Sequence, residues 1–197
     1  MIGTILSQHT SDTNSGKAFA SLKACFPSWA ELLRAPHETI AEAIRSGGLA
    51  TTKARYIKSC LAELERRRGE LSLRYLDALP TAEAIAELVS LPGVGAKTAA
   101  CVLLFSLGRA VIPVDTHVHR VARRLGLAPA DATPEDVEAA LEAQFADDPT
   151  TCYHLHVHLV THGRQVCHAR NPACDRCFLA RHCAHIASQP ASAASPA

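Results

Sequence analysis

Four cysteines, Cys167, Cys174, Cys177 and Cys183, stand within 17 residues in the spacing C-x6-C-x2-C-x5-C. Loops this short bring four thiolates around one point, and four thiolates suit either zinc or an iron–sulfur cluster. The segment has little apolar content of its own, so metal must supply most of its folding energy. Four unrelated buried thiols would be a coincidence at this spacing, but spacing alone does not choose between zinc and iron. Cys25, Cys60, Cys101 and Cys152 are scattered over apolar faces and element ends and read as core thiols. Met1–Thr10 has no basic flank and no cleavage site, and no apolar run is long enough to span a bilayer. The expected setting is therefore the cytoplasm, with no membrane partner and with reduced thiols.

The remaining chain patterns as helix, and the 197 residues suffice for one compact domain or two small ones. Thr81–Leu91 opens on a threonine expected to cap it, with Ile85, Leu88 and Val89 on one face. The run TAACVLLFSL, from Thr98 to Leu107, is apolar on every side and predicts a buried central helix stopped by Gly108. Thr116–Leu125 turns Val118, Val121, Ala122 and Leu125 inward, closes at Gly126, and carries His117, Arg120, Arg123 and Arg124 on its other face. A further helix starts at Thr133, with Pro134 in its first turn and Glu135 and Asp136 beside the positive dipole end. No alternating run with turn signals predicts a strand, so the expected class is all-α. The small, polar tail 187–197 is expected to be disordered.

Leu91–Ala99 reads LPGVGAKTA, a helix end, a turn with Gly93 and Gly95, then a new helix. Glycines there permit positive φ and close approach to an external backbone, and the amides opening the second helix form an anion site suited to a DNA phosphate. PGVG alone is a common turn; Lys97 sharpens the reading. In the first turn of a buried helix, the dipole and partial desolvation both disfavour an ammonium, leaving an amine able to form a Schiff base. Asp115 precedes the arginine-faced helix, where an aspartate is ordinarily only an N-cap. With a formal net charge of +1, any DNA contact must rest on local positive charge.

Three stretches, LPGVGAKTA, VDTHVHRVARRLGL and HGRQVC with the four-cysteine spacing, together resemble the endonuclease III family of helix-hairpin-helix DNA glycosylases. The resemblance runs from about Met1 to His185. It implies two helical lobes, a barrel lobe with the hairpin (1–112) and a cluster lobe (113–186), with DNA between them. It also implies a [4Fe–4S] cluster on Cys167, Cys174, Cys177 and Cys183, with Lys97 as catalytic lysine and Asp115 as catalytic aspartate. The implied activity is that of a monomeric glycosylase and abasic-site lyase. It flips an oxidised pyrimidine out of duplex DNA, removes it through attack by Lys97 on C1′, and cuts the strand by β-elimination. The alternatives are a weakened or non-catalytic DNA-binding module and a zinc-ribbon structural protein; the second leaves the hairpin unexplained.

The sequence departs from the family in several places. The stretch LSQHTSD, Leu6–Asp12, puts His9 rather than Gln8 where the family has a glutamine wedge that fills the space left by a flipped base. His9 is thus expected on the cleft side of the first helix, opposite a second wedge matched by Leu49. Met1 falls within what should be the first barrel helix, and the family's preceding segment is missing. Gly69–Ser90 is longer than usual and suggests an added turn or helix. The loop HARNPA keeps Arg170 but is less basic, which costs phosphate contacts. His154, His158 and His162 share one helix face, where packing is expected rather than a second metal; the family match gives His156 and His162 a structural part. Arg66, Arg67 and Arg68 read as a solvated helix end.

Overall fold

The computed structural model describes residues 1–188, and among them there is no strand. The chain is all-α, as the patterning predicts. It forms two compact units, residues 1–107 and the part from Gly108 onward.

The first unit holds α1 (Ile2–Ser7), α2 (Asp12–Cys25), α3 (Trp29–Arg34), α4 (His37–Ala43), α5 (Ala50–Arg68), α6 (Thr81–Val89) and α7 (Ala96–Leu107). Serines cap two of them: Ser11 Oγ accepts from the Asn14 amide at α2, and Ser28 Oγ from the Glu31 amide at α3. The long α5 buries Lys53, Ala54, Ile57, Cys60, Leu61 and Leu64, a stripe of helical period that includes one lysine. In α7 every residue from Thr98 to Leu104 is buried, so this is the central helix the apolar run predicts. Its buried run ends at Phe105, 46% exposed, before Gly108 at φ 62°.

In α6 the expectation needs correction. Pro80, not Thr81, holds the N-cap position, with no side-chain cap. The buried residues are Ala84 and Leu88, while Val89 is exposed. A short helix packed chiefly on α7 buries one i, i+4 pair, which turns the next position outward. Within Gly69–Ser90, a 3-10 helix spans Arg74–Ala78 and buries Leu76.

The second unit holds α8 (Thr116–Leu125), α9 (Pro134–Phe145), α10 (Pro149–Gln165) and the short α11 (Ala184–Ala187). The bounds of α8 and the start of α9 fall where the sequence places them. Asp115 caps the first, and Thr133 and Asp136 close a reciprocal capping box on the second. Val118, Val121 and Ala122 meet a core that includes Val137, Leu141, Cys152 and Leu159, with Leu125 half-buried. Against the expectation of disorder, Ala187 closes α11 and Ser188 caps it; residues 189–197 of that tail lie outside the described residues. Cys60, Cys101 and Cys152 are buried thiols as expected. Cys25 is instead exposed at the end of α2, where Phe26 supplies the buried side chain.

Candidate active site and cluster site

The hairpin between α6 and α7 is anchored by Leu91 and Val94, both buried. Its two glycines do different work. Gly93 takes φ 77°, and a Cβ built on it would lie 2.4 Å from Tyr56 Cγ, so both backbone and space demand glycine. Gly95 has nothing within 4 Å on its Cβ side and no positive φ, which leaves an open flank for an incoming backbone. Gly93→Ala is therefore expected to cost about 2 kcal/mol or more in urea unfolding. Gly95→Ala should stay within about 0.5 kcal/mol. Equal costs would show that the turn does not press on Tyr56.

Lys97 lies one residue into α7, exposed, beside a pocket of about 570 Å³. The desolvation expected of it is not found, because burial on α7 begins only at Thr98. The same pocket is lined by Gln8, His9, Leu49, Thr52, Lys53, Tyr56, Gly93 and Thr98. The fold thus gathers Lys97, the hairpin glycine and both expected wedges, which are up to 88 positions apart in sequence, from His9 to Lys97.

His9 is not on the first helix, which ends at Ser7; it stands in the following turn at φ 51°, exposed. Gln8 beside it is half-buried and turned to the hairpin, its Nε2 donating to Gly93 O at 3.3 Å and to Thr98 Oγ1 at 3.1 Å. The amide of Gln8 therefore braces the hairpin, and His9 is the side chain left outward. Leu49, at the N-cap of α5, has φ 47° and is 59% exposed. Large apolar side chains seldom sit this exposed in a left-handed backbone.

Four members of the pocket, Thr52, Lys53, Tyr56 and Thr98, were not predicted. Lys53 is 2% exposed, and its Nζ donates to Leu6 O at 2.7 Å and Gly47 O at 2.8 Å. The only sequence signal was its place on the buried stripe of α5, between apolar neighbours.

Asp115 belongs to the second unit. Its Oδ1 accepts from the amides of His117 and Val118, each at 2.8 Å, so it is an N-cap. No hydrogen bond among the described residues engages Oδ2, and the residue is half-buried. Capping thus orients the carboxylate and leaves one oxygen for other work.

Cys167, Cys174, Cys177 and Cys183 line one small pocket at the end of α8 and α10. Burial pushes the Cys174 thiol up, and negative charge on Cys183, Cys167 and Cys177 pushes it further, with Arg124 opposing. Four thiolates crowded in this way need bound cations to hold them together. Four cysteine sulfurs around one pocket are a donor set that an iron–sulfur cluster fits.

The arginine face of α8 turns out to serve this loop. Arg124 Nη1 donates to Cys167 Sγ at 3.3 Å and His168 O at 2.7 Å, and Nη2 to Ala169 O at 3.2 Å. Arg120 donates to Cys167 O at 2.9 Å and Gly163 O at 2.9 Å. Sequence reasoning placed these arginines on one face but missed what they hold. A basic i, i+4 pair in a nearly neutral chain was the available hint. Gly163 permits the approach, since a Cβ there would come within 3.0 Å of His117.

The stripe packs only in part: His154 and His158 are exposed, against expectation, while His156 and His162 have the structural contacts expected of them. His156 is buried with its Nδ1 on Pro113 O at 2.8 Å, His154 and His158 stack, and His162 meets the edge of Phe178 with its Nε2 3.7 Å from Cys177 Sγ. Arg66 and Arg67 pair with Glu63, and Arg68 lies over Tyr75, a solvated helix end. Arg170 is exposed with no hydrogen bond or ion pair among the described residues.

The family model for the helix-hairpin-helix superfamily of base excision DNA repair proteins matches residues 2–146, and that for the iron-sulfur binding domain of endonuclease III matches 167–183. The chain belongs to this superfamily. The second match runs from the first cluster cysteine to the last. Endonuclease III of Thermotoga maritima is 36% identical over 93% of this chain and 80% of its own length. A protein of Arabidopsis thaliana bearing the DNA glycosylase name is 43% identical over 83% of this chain, which spans about half, 55%, of that relative. A solved structure of a trapped endonuclease III–DNA covalent intermediate matches with a TM-score of 0.77 at 31% identity, covering 94% of this chain and 82% of that one.

As an endonuclease III homologue, the chain is a DNA glycosylase and abasic-site lyase of base excision repair that carries a [4Fe–4S] cluster. Cys167, Cys174, Cys177 and Cys183 would hold the cluster. When bound, it ties four points of one loop together, a folding contribution. No helix among the described residues is long and apolar enough to cross a membrane.

Proposed function

We propose that the protein, acting as a single chain, removes oxidised pyrimidines such as thymine glycol from duplex DNA and cuts the resulting abasic strand by β-elimination. The carrying observation is Lys97, an exposed amine on a wide pocket whose rim bears two outward side chains held in strained backbone. A base inside the stack hides its C1′, so the nucleotide must leave the duplex, and His9 and Leu49 take up the space it vacates. The Nζ lone pair of Lys97 attacks C1′, the bond from C1′ to the base breaks, and the base leaves as an anion that takes a proton from water. Asp115, with one oxygen uncommitted, stabilises positive charge developing on the sugar and takes up the proton that Lys97 loses.

The C1′–O4′ bond then opens, O4′ taking the proton held by Asp115, and the resulting imine between Nζ and C1′ makes the C2′ proton acidic. Its removal expels the 3′ phosphate oxygen and breaks the strand, and water then releases Lys97. Outside the pocket, the open flank of Gly95 and the free guanidinium of Arg170 meet the phosphate backbone, with Gly93 holding the turn and Gln8 bracing it.

Borohydride trapping on an abasic duplex, paired with single-turnover excision on duplexes carrying thymine glycol, 8-oxoguanine or uracil, tests this proposal. Trapping together with fastest excision of thymine glycol is the expected result. Trapping with no pyrimidine preference removes the substrate assignment. Tight binding without trapping favours the non-catalytic reading, for which the histidine at position 9 is the motivating departure.

A further inference from the structure

Among the described residues Lys53 is the one buried lysine, and the proposed chemistry leaves it without a part. Its ammonium joins two chain segments from different elements: Leu6 O, near the end of α1, and Gly47 O, at the end of the 3-10 helix Arg45–Gly47. Each of these carbonyls is followed within three residues by a non-glycine residue in left-handed backbone, His9 at φ 51° and Leu49 at φ 47°. Only one other non-glycine residue with positive φ occurs among the described residues, Asn171 in the cluster loop. Such a backbone relaxes unless its flanks are pinned on both sides. Gln8 ties the near flank of His9 to the hairpin, the α2 cap at Ser11 follows on its far side, and the helix start of α5 follows Leu49.

We infer that Lys53 is a positioning residue whose ammonium, by holding the carbonyls of Leu6 and Gly47 together, sets His9 and Leu49 as a matched pair of wedges. The inference rests on the proposed function, since a wedge has work only where a base is drawn from a stack. Lys53 does not touch the reacting atoms. Its burial pushes the ammonium below the usual lysine range, and both polar partners are backbone oxygens rather than carboxylates. A neutral chain needing only to satisfy two carbonyls has cheaper donors, and the charge strengthens both bonds.

The test compares borohydride trapping on an abasic site in a duplex with trapping on the same abasic oligonucleotide as a single strand. The single strand offers Lys97 its carbonyl carbon without a stack to open. Lys53→Met is expected to slow duplex trapping about tenfold or more while slowing single-strand trapping less than about threefold. Leu49→Ala should show the same split, and the double variant should be little slower than the slower single variant, because both act through one element. Equal loss on both strands gives Lys53 a general structural role and overturns the inference, as does unchanged duplex trapping. Lys53→Gln keeps a donor in the site and replaces Lys53→Met if that variant does not fold, with the same split required. A wild-type protein that traps neither substrate fails the enzyme reading itself, and the inference with it.

Discussion

Lys97→Ala is expected to abolish strand cleavage and borohydride crosslinking, a fall of about a thousandfold or more, while abasic-DNA binding and stability stay close to wild type. The chain has five lysines, Lys17, Lys23, Lys53, Lys58 and Lys97. Lys23 donates to Pro27 O and lies over Trp29, and Lys58 donates to Ala35 O. Only Lys53 and Lys97 line the pocket, and Lys53 is buried on two carbonyls. Lys97 is the one amine there that is free to react. Because its side chain is exposed, truncation removes no packing, and unfolding in urea should shift by no more than about 0.5 kcal/mol. Crosslinking by Lys97→Ala at the wild-type rate would move the nucleophile to Lys53.

Loss of the cluster should have the largest effect on stability. The purified protein is expected to be yellow-brown with about four irons per chain. Cys174→Ser should lose the colour and the iron and destabilise the second unit by several kcal/mol. The loop 167–183 has little else to hold it: its 3-10 helices Cys174–Arg176 and Ala180–His182 contain no buried residue. When it opens, Arg120 and Arg124 lose the carbonyls they bind, so the end of α8 should loosen too. Limited proteolysis of Cys174→Ser should cut first within 167–183. A colourless wild-type protein with one zinc, or a Cys174→Ser variant that keeps its iron, would overturn the expectation.

The cysteine spacing, the hairpin and the bounds of α8 were legible because each is local. Four thiols within 17 residues, a positive-φ glycine between two helices, and an aspartate and a glycine on either side of a helix of 10 residues act through the chain nearby. The α6 register was not legible, since which face a short helix buries depends on the partner it meets. Cys25 and Phe26 show the same limit. Two adjacent candidates compete for one buried place, and packing selects the larger.

The sequence by itself determined the all-α class, the four-cysteine spacing and the candidate nucleophile, because spacing and capping are properties of neighbouring residues. Tertiary structure alone decided that Lys97 stays exposed while Lys53 is buried. Burial is set by distant chain: the acceptors of Lys53 lie 47 and six residues away. It also decided that Gln8 braces the hairpin 85 residues on, so that His9 is the one left facing outward. The arginine face of α8 was visible as charge, and only the fold showed it spent on the cluster loop, 43 to 47 residues distant. Hydrogen bonds across such separations depend on where packing brings the carbonyls, and a linear pattern carries no record of that.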